Sequence, residues 1–288
     1  MTRKELWILK IKRNPEIIIG ILILSIFLLI ALFAPWIAPF LPNKRSGIPY
    51  MKPSLEHFLG TNDIGQDIFS EMVYGTRVSV TIGISAALCS TAVGTVLGII
   101  SGYLGGLTDK IISAVINVMM ALPGLPLTLV MVAYFGGSIK NMIFIISLTS
   151  WVSTARIVRS KAQQLREESF VKIESVLGAG KIRIMILHLL PNIMDIILTK
   201  FALAVGSAMT TESSLSFLGL GNYGQKSWGN VLHYAFYNGG LLRGFYWWYL
   251  PPILCISLSM MSFMLITKRG QSREGILIQK RRKDDVRA

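Results

Sequence analysis

Cysteine and histidine are nearly missing from this chain: its 288 residues hold two Cys and three His. Cys89 and Cys255 both lie inside apolar segments, which excludes a disulfide framework or thiolate cluster and makes them small buried hydrophobes. His57, His188 and His233 fall in different loops, with no i, i+4 pair and no cysteine partner, so no metal site is expected. Charge is scarce too, at 15% of residues, and Asp plus Glu number only 15 against 29 Lys plus Arg. No G-x-S-x-G elbow or H-E-x-x-H occurs, and Asp63 and Asp67 have no obvious catalytic partner. The nearest approach to a phosphate loop is Gly178-Ala179-Gly180-Lys181, with Ser175 where a further glycine is needed and Ile182 where Ser or Thr must follow. Neither a catalytic residue nor a cofactor is expected, so uphill movement of anything must draw on a partner or an ion gradient.

What is abundant is apolar surface: 52% of residues, with a mean hydropathy of +0.56, more than one soluble core could bury. Uncharged stretches run over Ile17–Leu41, Val78–Thr108, Ile111–Ile139, Asn141–Ala155 and Gly244–Thr267. At about 1.5 Å per residue these suit a hydrocarbon layer roughly 30 Å thick, the shortest relying on Lys140 and Arg156 to snorkel outward. The first is too long for a signal-peptide core and reads as a retained helix. Ile193–Thr211 adds a weaker span, interrupted by Asp195 and Lys200 and followed by Glu212. The expectation is an all-α integral membrane protein with six transmembrane helices. Of the Lys and Arg residues, 21 fall on the side holding both termini and seven on the other, with Lys200 counted apart. That asymmetry puts both termini in the cytoplasm. It also accounts for the net charge of +14 without nucleic acid, since no basic patch carries interleaved aromatics.

Between the fourth and fifth spans, Phe170, Ile173, Glu174 and Leu177 recur at helical spacing with Val171 adjoining, giving a short helix with a partly apolar face. Gly178 and Gly180 are suited to end it, and a second short helix is expected over Ile182–Leu190 before Pro191 breaks it. Such a unit rests either on lipid headgroups or in a groove of a cytoplasmic partner. Gly94, Gly98, Gly102 and Gly106 leave one face of the second span bare, for packing within the subunit or at a subunit seam. Pro123 and Pro126 interrupt the third span, which places it near a translocation path. Glu212 either lies deep, where it must be paired or face a cavity, or sits at the outer interface.

Leu177-Gly178-Ala179 and Leu190-Pro191-Asn192 resemble the cytoplasmic loop that permease subunits of ABC importers offer to their ATPases, although Lys172-Ile173-Glu174 replaces its Glu-Ala-Ala. The segment from His57 to Ser70, Tyr74-Gly-Thr-Arg-Val-Ser79, Gly102 to Asp109, and Ser216-Phe-Leu-Gly-Leu-Gly221 with Trp228-Gly229 are similar to the C-type permease subunits of dipeptide, oligopeptide and nickel importers. Gln66 stands where that family usually has Arg.

The resemblance implies a type I ABC importer permease fold: residues 1–75 with the first span, a core over 76–267, and a basic tail over 268–288. It implies a heterodimer with a B-type permease, two cytoplasmic ATPase subunits, an extracytoplasmic substrate-binding protein, and lipid around the spans of an inner-membrane protein. Phe170, Val171, Ile173, Glu174, Leu177, Gly178 and Ala179 would form the ATPase-docking coupling helix, and Pro123, Pro126 and Glu212 would be candidates for the path. A gradient-driven carrier or a non-transporting scaffold are the rival readings.

Overall fold

The computed structural model describes residues 15–222 and 224–285, with residues 268–285 by their backbone alone. The five basic residues counted before the first span, and the side chains of the basic tail, lie outside this description. Among the described residues there are ten α-helices: α1 (Pro15–Ile37), α2 (Ile68–Leu104), α3 (Gly106–Ala121), α4 (Gly124–Phe135), α5 (Ile139–Arg166), α6 (Ser169–Val176), α7 (Lys181–Ile184), α8 (Leu190–Leu215), α9 (Trp228–Tyr237) and α10 (Tyr246–Asp285). No strand occurs among the described residues beyond isolated bridges at Arg45–Gln66 and Thr61–Asp67.

Among the described residues, five helices are long and apolar enough to cross a membrane: α1, α2, α5, the continuous Lys181–Leu220 helix, and α10 over Tyr246–Thr267. The expected third span is no straight helix. It is α3 followed by α4, bent by 87°, and supplies the sixth crossing only if that pair counts as one. The cause is Pro123, whose ring disfavours helical backbone at the residue before it; Leu122 is extended (φ −80, ψ 131) and ends α3. Pro126 does not interrupt anything, because it falls in the first turn of α4, where a missing N–H leaves no helical bond unmade.

Three other boundaries differ from expectation. α2 begins ten residues early, taking in Glu71 and Arg77, and Asp67 caps it by accepting from Ser70 N–H. α5 runs on past Arg156 to Arg166 because Arg159 is held by a bidentate pair with Asp109 on α3 (Nε–Oδ1 2.5 Å, Nη2–Oδ2 2.8 Å), while Ser101 of α2 also donates to Asp109. Pro191 does not break the chain into two helices. A π-turn over Met185–Leu189 absorbs it, Leu190 N–H bonding Met185 O, and the Asn192 amide donates to His188 O at 2.7 Å.

α2 is the spine, with α5 and α8 against it. A Cβ at Gly94, Gly98 or Gly102 would lie 2.6 Å from Trp151 O, 2.8 Å from Ala155 O and 2.5 Å from Arg159 O, all on α5. The bare face is therefore packing within the subunit, whereas nothing approaches Gly106. One core cluster, with Phe27, Trp228, Trp247 and Trp248, fills the end of the bundle where α9 sits; another, with Ile99, Val158, Val171, Ile184 and Leu189, fills the end where α6 sits. Cys89 is exposed on α2 and Cys255 half-buried, so Cys89 is not the buried hydrophobe its neighbours suggested.

Candidate coupling helix and path surface

α6 is an eight-residue helix with a complete glycine stop. Gly178 adopts φ +84, Ala179 N–H bonds Glu174 O at 3.0 Å and Gly178 N–H bonds Ser175 O at 3.2 Å, the paired bonds that satisfy the last carbonyls of a helix. Only glycine occupies that φ without strain. Val171 is 2% exposed and packs into the chain's own core, so it anchors α6 to the bundle and is unavailable to a partner, a correction to its expected docking role. Ala179 is half-buried beside the same cluster, and Glu174 Oε1 lies 3.7 Å from His188 Nε2 in the π-turn. The opposite side carries Phe170 and Ile173, with Val176 and Leu177 at 87% and 76% exposure. Val176 was missed by periodicity because it falls between the chosen positions.

The helix is thus held from behind by Val171 and strung between α5 and the Lys181–Leu220 helix, two long rigid elements. Burying each apolar side chain on a partner would contribute about 1.5–3 kcal/mol, and displacement of α6 would be passed to both spans.

Glu212 is 1% exposed and receives hydrogen bonds from Ser79 (3.0 Å), Ser216 (2.7 Å) and Ser213 (3.4 Å), with Ser227 also bonded. Four serine hydroxyls replace the water such a carboxylate needs. Glu212 therefore joins α2, α8 and the cap of α9, its carboxylate enclosed by the chain itself, a correction to its candidacy for the path. Pro123 and Pro126, by contrast, are exposed at the α3–α4 bend. A cavity of about 370 Å³ opens between the end of α4 and the Gly219–Asn222 turn, lined by Val132, Gly136, Gly137 and Leu220.

A buried polar network at the α9 end was not foreseen. Lys226 Nζ lies 2.7 Å from Glu71 Oε1 and 3.0 Å from Gln66 Oε1, and the Asn62 amide donates to both of those oxygens. His57 Nδ1 lies 2.9 Å from Asp67 Oδ1, so this histidine does have a partner. Ser70 Oγ donates to the other oxygen of Asp67 rather than meeting the imidazole, and all three residues are buried, so the group is structural. Asp63, half-buried beside it, has its carboxyl raised by desolvation, against the pull of its backbone bonds and Lys226.

A polypeptide with this bundle and an offered helix at one end can be placed by its relatives. The family described as "Binding-protein-dependent transport system inner membrane component" matches residues 94–273, more than half of the chain, and the "N-terminal TM domain of oligopeptide transport permease C" matches residues 4–54. The chain belongs to the first of these families. It is accordingly a membrane permease component of a binding-protein-dependent transport system, and it carries the all-helical permease fold.

It is 33% identical over 262 residues to the dipeptide transport system permease protein DppC of Bacillus subtilis, covering 89% of this chain and 80% of that protein. Against the oligopeptide transport system permease protein OppC of Bacillus subtilis identity is 32% over 221 residues, 75% of this chain and 72% of the relative. The glutathione transport system permease protein GsiD of Escherichia coli is 32% identical over 239 residues, 80% and 77% respectively. Among solved structures, the inward-facing MetNI methionine ABC transporter is similar at a TM-score of 0.48 and 15% identity, covering 66% of this chain and 95% of that one. The relatives are transport permeases, in keeping with a chain in which no catalytic group was expected.

Proposed function

We propose that this chain forms half of the translocation path of an ATP-driven importer of peptides, pairing with a B-type permease subunit. α6 is docked in a groove of one of two cytoplasmic ATPase subunits, and an extracytoplasmic binding protein delivers cargo at the α9 end. In this reading α6, the N-terminus and the basic tail are cytoplasmic, as the Lys and Arg asymmetry argues, and the chain hydrolyses no ATP itself. The peptide cargo rests on the dipeptide, oligopeptide and glutathione permeases to which the chain is similar.

The observation that carries the reading is the outward apolar side of α6, Phe170, Ile173, Val176 and Leu177, on a helix fixed from behind by Val171. Closure of the ATPases on ATP would move α6 and, through α5 and α8, turn the bundle from inward-open to outward-open, with hydrolysis resetting it. The exposed bend at Pro123 and Pro126 belongs to the path. Lateral rest on headgroups is the weaker account, since Val171, buried in the chain's own core, sets which side of the helix is offered.

Leu177→Asp puts a charge in the docking face, and Gly178→Pro demands φ near −65° where the backbone holds +84. Both variants are expected in the membrane at wild-type level, with the ATPases lost on purification and uptake abolished. Unchanged uptake by Leu177→Asp would remove the docking assignment.

A further inference from the structure

α5 is two-faced. Trp151, Val152, Ala155, Val158 and Ala162 are buried. Thr149, Ser153, Arg156 and Ser160 recur at steps of four, three and four, which sets them in one stripe on the other side, and the last three are exposed. Ser153 stands near the middle of Ile139–Arg166, and Lys200 at the midpoint of the Lys181–Leu220 helix. The two meet there: Lys200 Nζ donates to Ser153 Oγ at 3.4 Å. Arg156, one turn along, reaches Met120 Sδ at 3.7 Å, just before the Leu122–Pro123 bend.

Neither cation has an acidic partner among the described residues. Asp195, the nearest acid along α8, is five residues from Lys200 and so about 140° round the helix. A half-buried ammonium halfway along a membrane helix, unpaired by its own chain, must face a wet cavity or an anion. A lipid phosphate is the competing anion, and the two vesicle compositions used below separate it from the cargo.

We infer that Lys200 and Arg156, with Ser153 between them, bind the terminal carboxylate of the cargo as it passes along the α5–α8 face. This rests on the peptide-importer reading and deepens it. Each linear peptide with a free C-terminus carries that carboxylate whatever its side chains, so two cations and a hydroxyl serve many peptides without reading any one of them. The amine of Lys200 supplies a point charge, and the Arg156 guanidinium supplies a fork able to take both carboxylate oxygens.

The test uses the complete transporter, with partner permease, ATPases and binding protein, in phosphatidylcholine vesicles with and without phosphatidylglycerol. Uptake of dialanine and of dialanine amide is compared for wild type, Lys200→Gln, Arg156→Gln and Lys200→Arg. Because all share one binding protein, its own preference divides out of the acid-to-amide ratio. Lys200→Gln and Arg156→Gln are expected to lower dialanine uptake about tenfold, the size of one lost charged contact, with amide uptake and assembly unchanged and Lys200→Arg near wild type. Equal loss for both cargoes, or no loss, overturns the inference while leaving the importer reading intact. A loss seen only with phosphatidylglycerol assigns the cations to lipid and overturns it as well. A wild-type complex that imports neither compound overturns the importer reading and this inference together.

Discussion

The two ends of the bundle solve opposite problems. At the α9 end the chain buries charge and satisfies it: Lys226 is 8% exposed and Glu71 1%, Glu71 Oε1 also accepts from the Asn62 amide, and Gln66 Oε1 accepts from both Lys226 and Asn62. At the α6 end it does the reverse and leaves apolar side chains in the open, with Val176 and Leu177 mostly uncovered. The first arrangement is complete within the subunit and resists deformation, because each buried charge is stable only while its partners stay in register. The second is incomplete without another surface. In the importer reading proposed above the two arrangements are complementary, a fixed end that keeps α2, α8 and α9 together and a handle for a partner to move.

The contrast breaks most sharply at Lys226. Lys226→Met leaves the Glu71 carboxylate buried without its counter-charge, at a cost of about 3–5 kcal/mol, so the thermal transition in detergent should fall steeply. Adding Glu71→Gln, which keeps shape and removes the charge, is expected to restore most of the loss. If the single variant melts with the wild type, the fixed end is not held by this pair.

Legibility in the sequence followed the same division. α6 and its stop were readable because they are local: apolar positions at helical spacing, then a glycine where only glycine tolerates the backbone. The bend at Pro123 was readable for the same reason. Contacts between distant positions were not. Nothing local joins Lys226 to Gln66, 160 residues away, or shows that the serines at 79, 216 and 227 surround Glu212. Helix ends were misjudged where charge was taken as a boundary, since Arg159 continues α5 by pairing with Asp109. Pro191 misled because, although a proline donates in no turn, the π-turn just before it, closed by Leu190 N–H, lets the helix continue past it.

Between the two ends the spine depends on close backbone approach. Gly98→Val would bring a Cβ to 2.8 Å from Ala155 O and from Val158 Cβ, and a backbone oxygen cannot swing aside. The expected loss is about 1–3 kcal/mol, as for overpacking elsewhere, read as a lower melting temperature. Gly124→Ala is the matched control: nothing lies within 4 Å of its added carbon, so a change within about 0.5 kcal/mol is expected. Equal effects for the two would mean that α2 and α5 have room to separate, and α6 could then move without turning the bundle.

The smallest effect belongs to the charged shoulder of α6. Glu167 bonds Lys172 Nζ at 3.1 Å and Arg166 Nε at 3.2 Å, and the Lys172 bond, then the Arg166 bond, hold its carboxyl below the usual value. A lowered folded pKa contributes stability that is present above the unfolded carboxylate value and lost as pH falls through the lowered one. Here all the partners are in open water, where screening and side-chain entropy cancel most of such a gain. Glu167→Gln is therefore expected to leave the melting temperature unchanged between pH 4 and 7, about the range bracketing the carboxylate titration, and to leave uptake unchanged. A Glu167→Gln variant that retains its fold but uncouples ATP hydrolysis from uptake would show that the motor grips the polar side of this helix, and the contrast between a satisfied end and an apolar handle would have to be redrawn around charge.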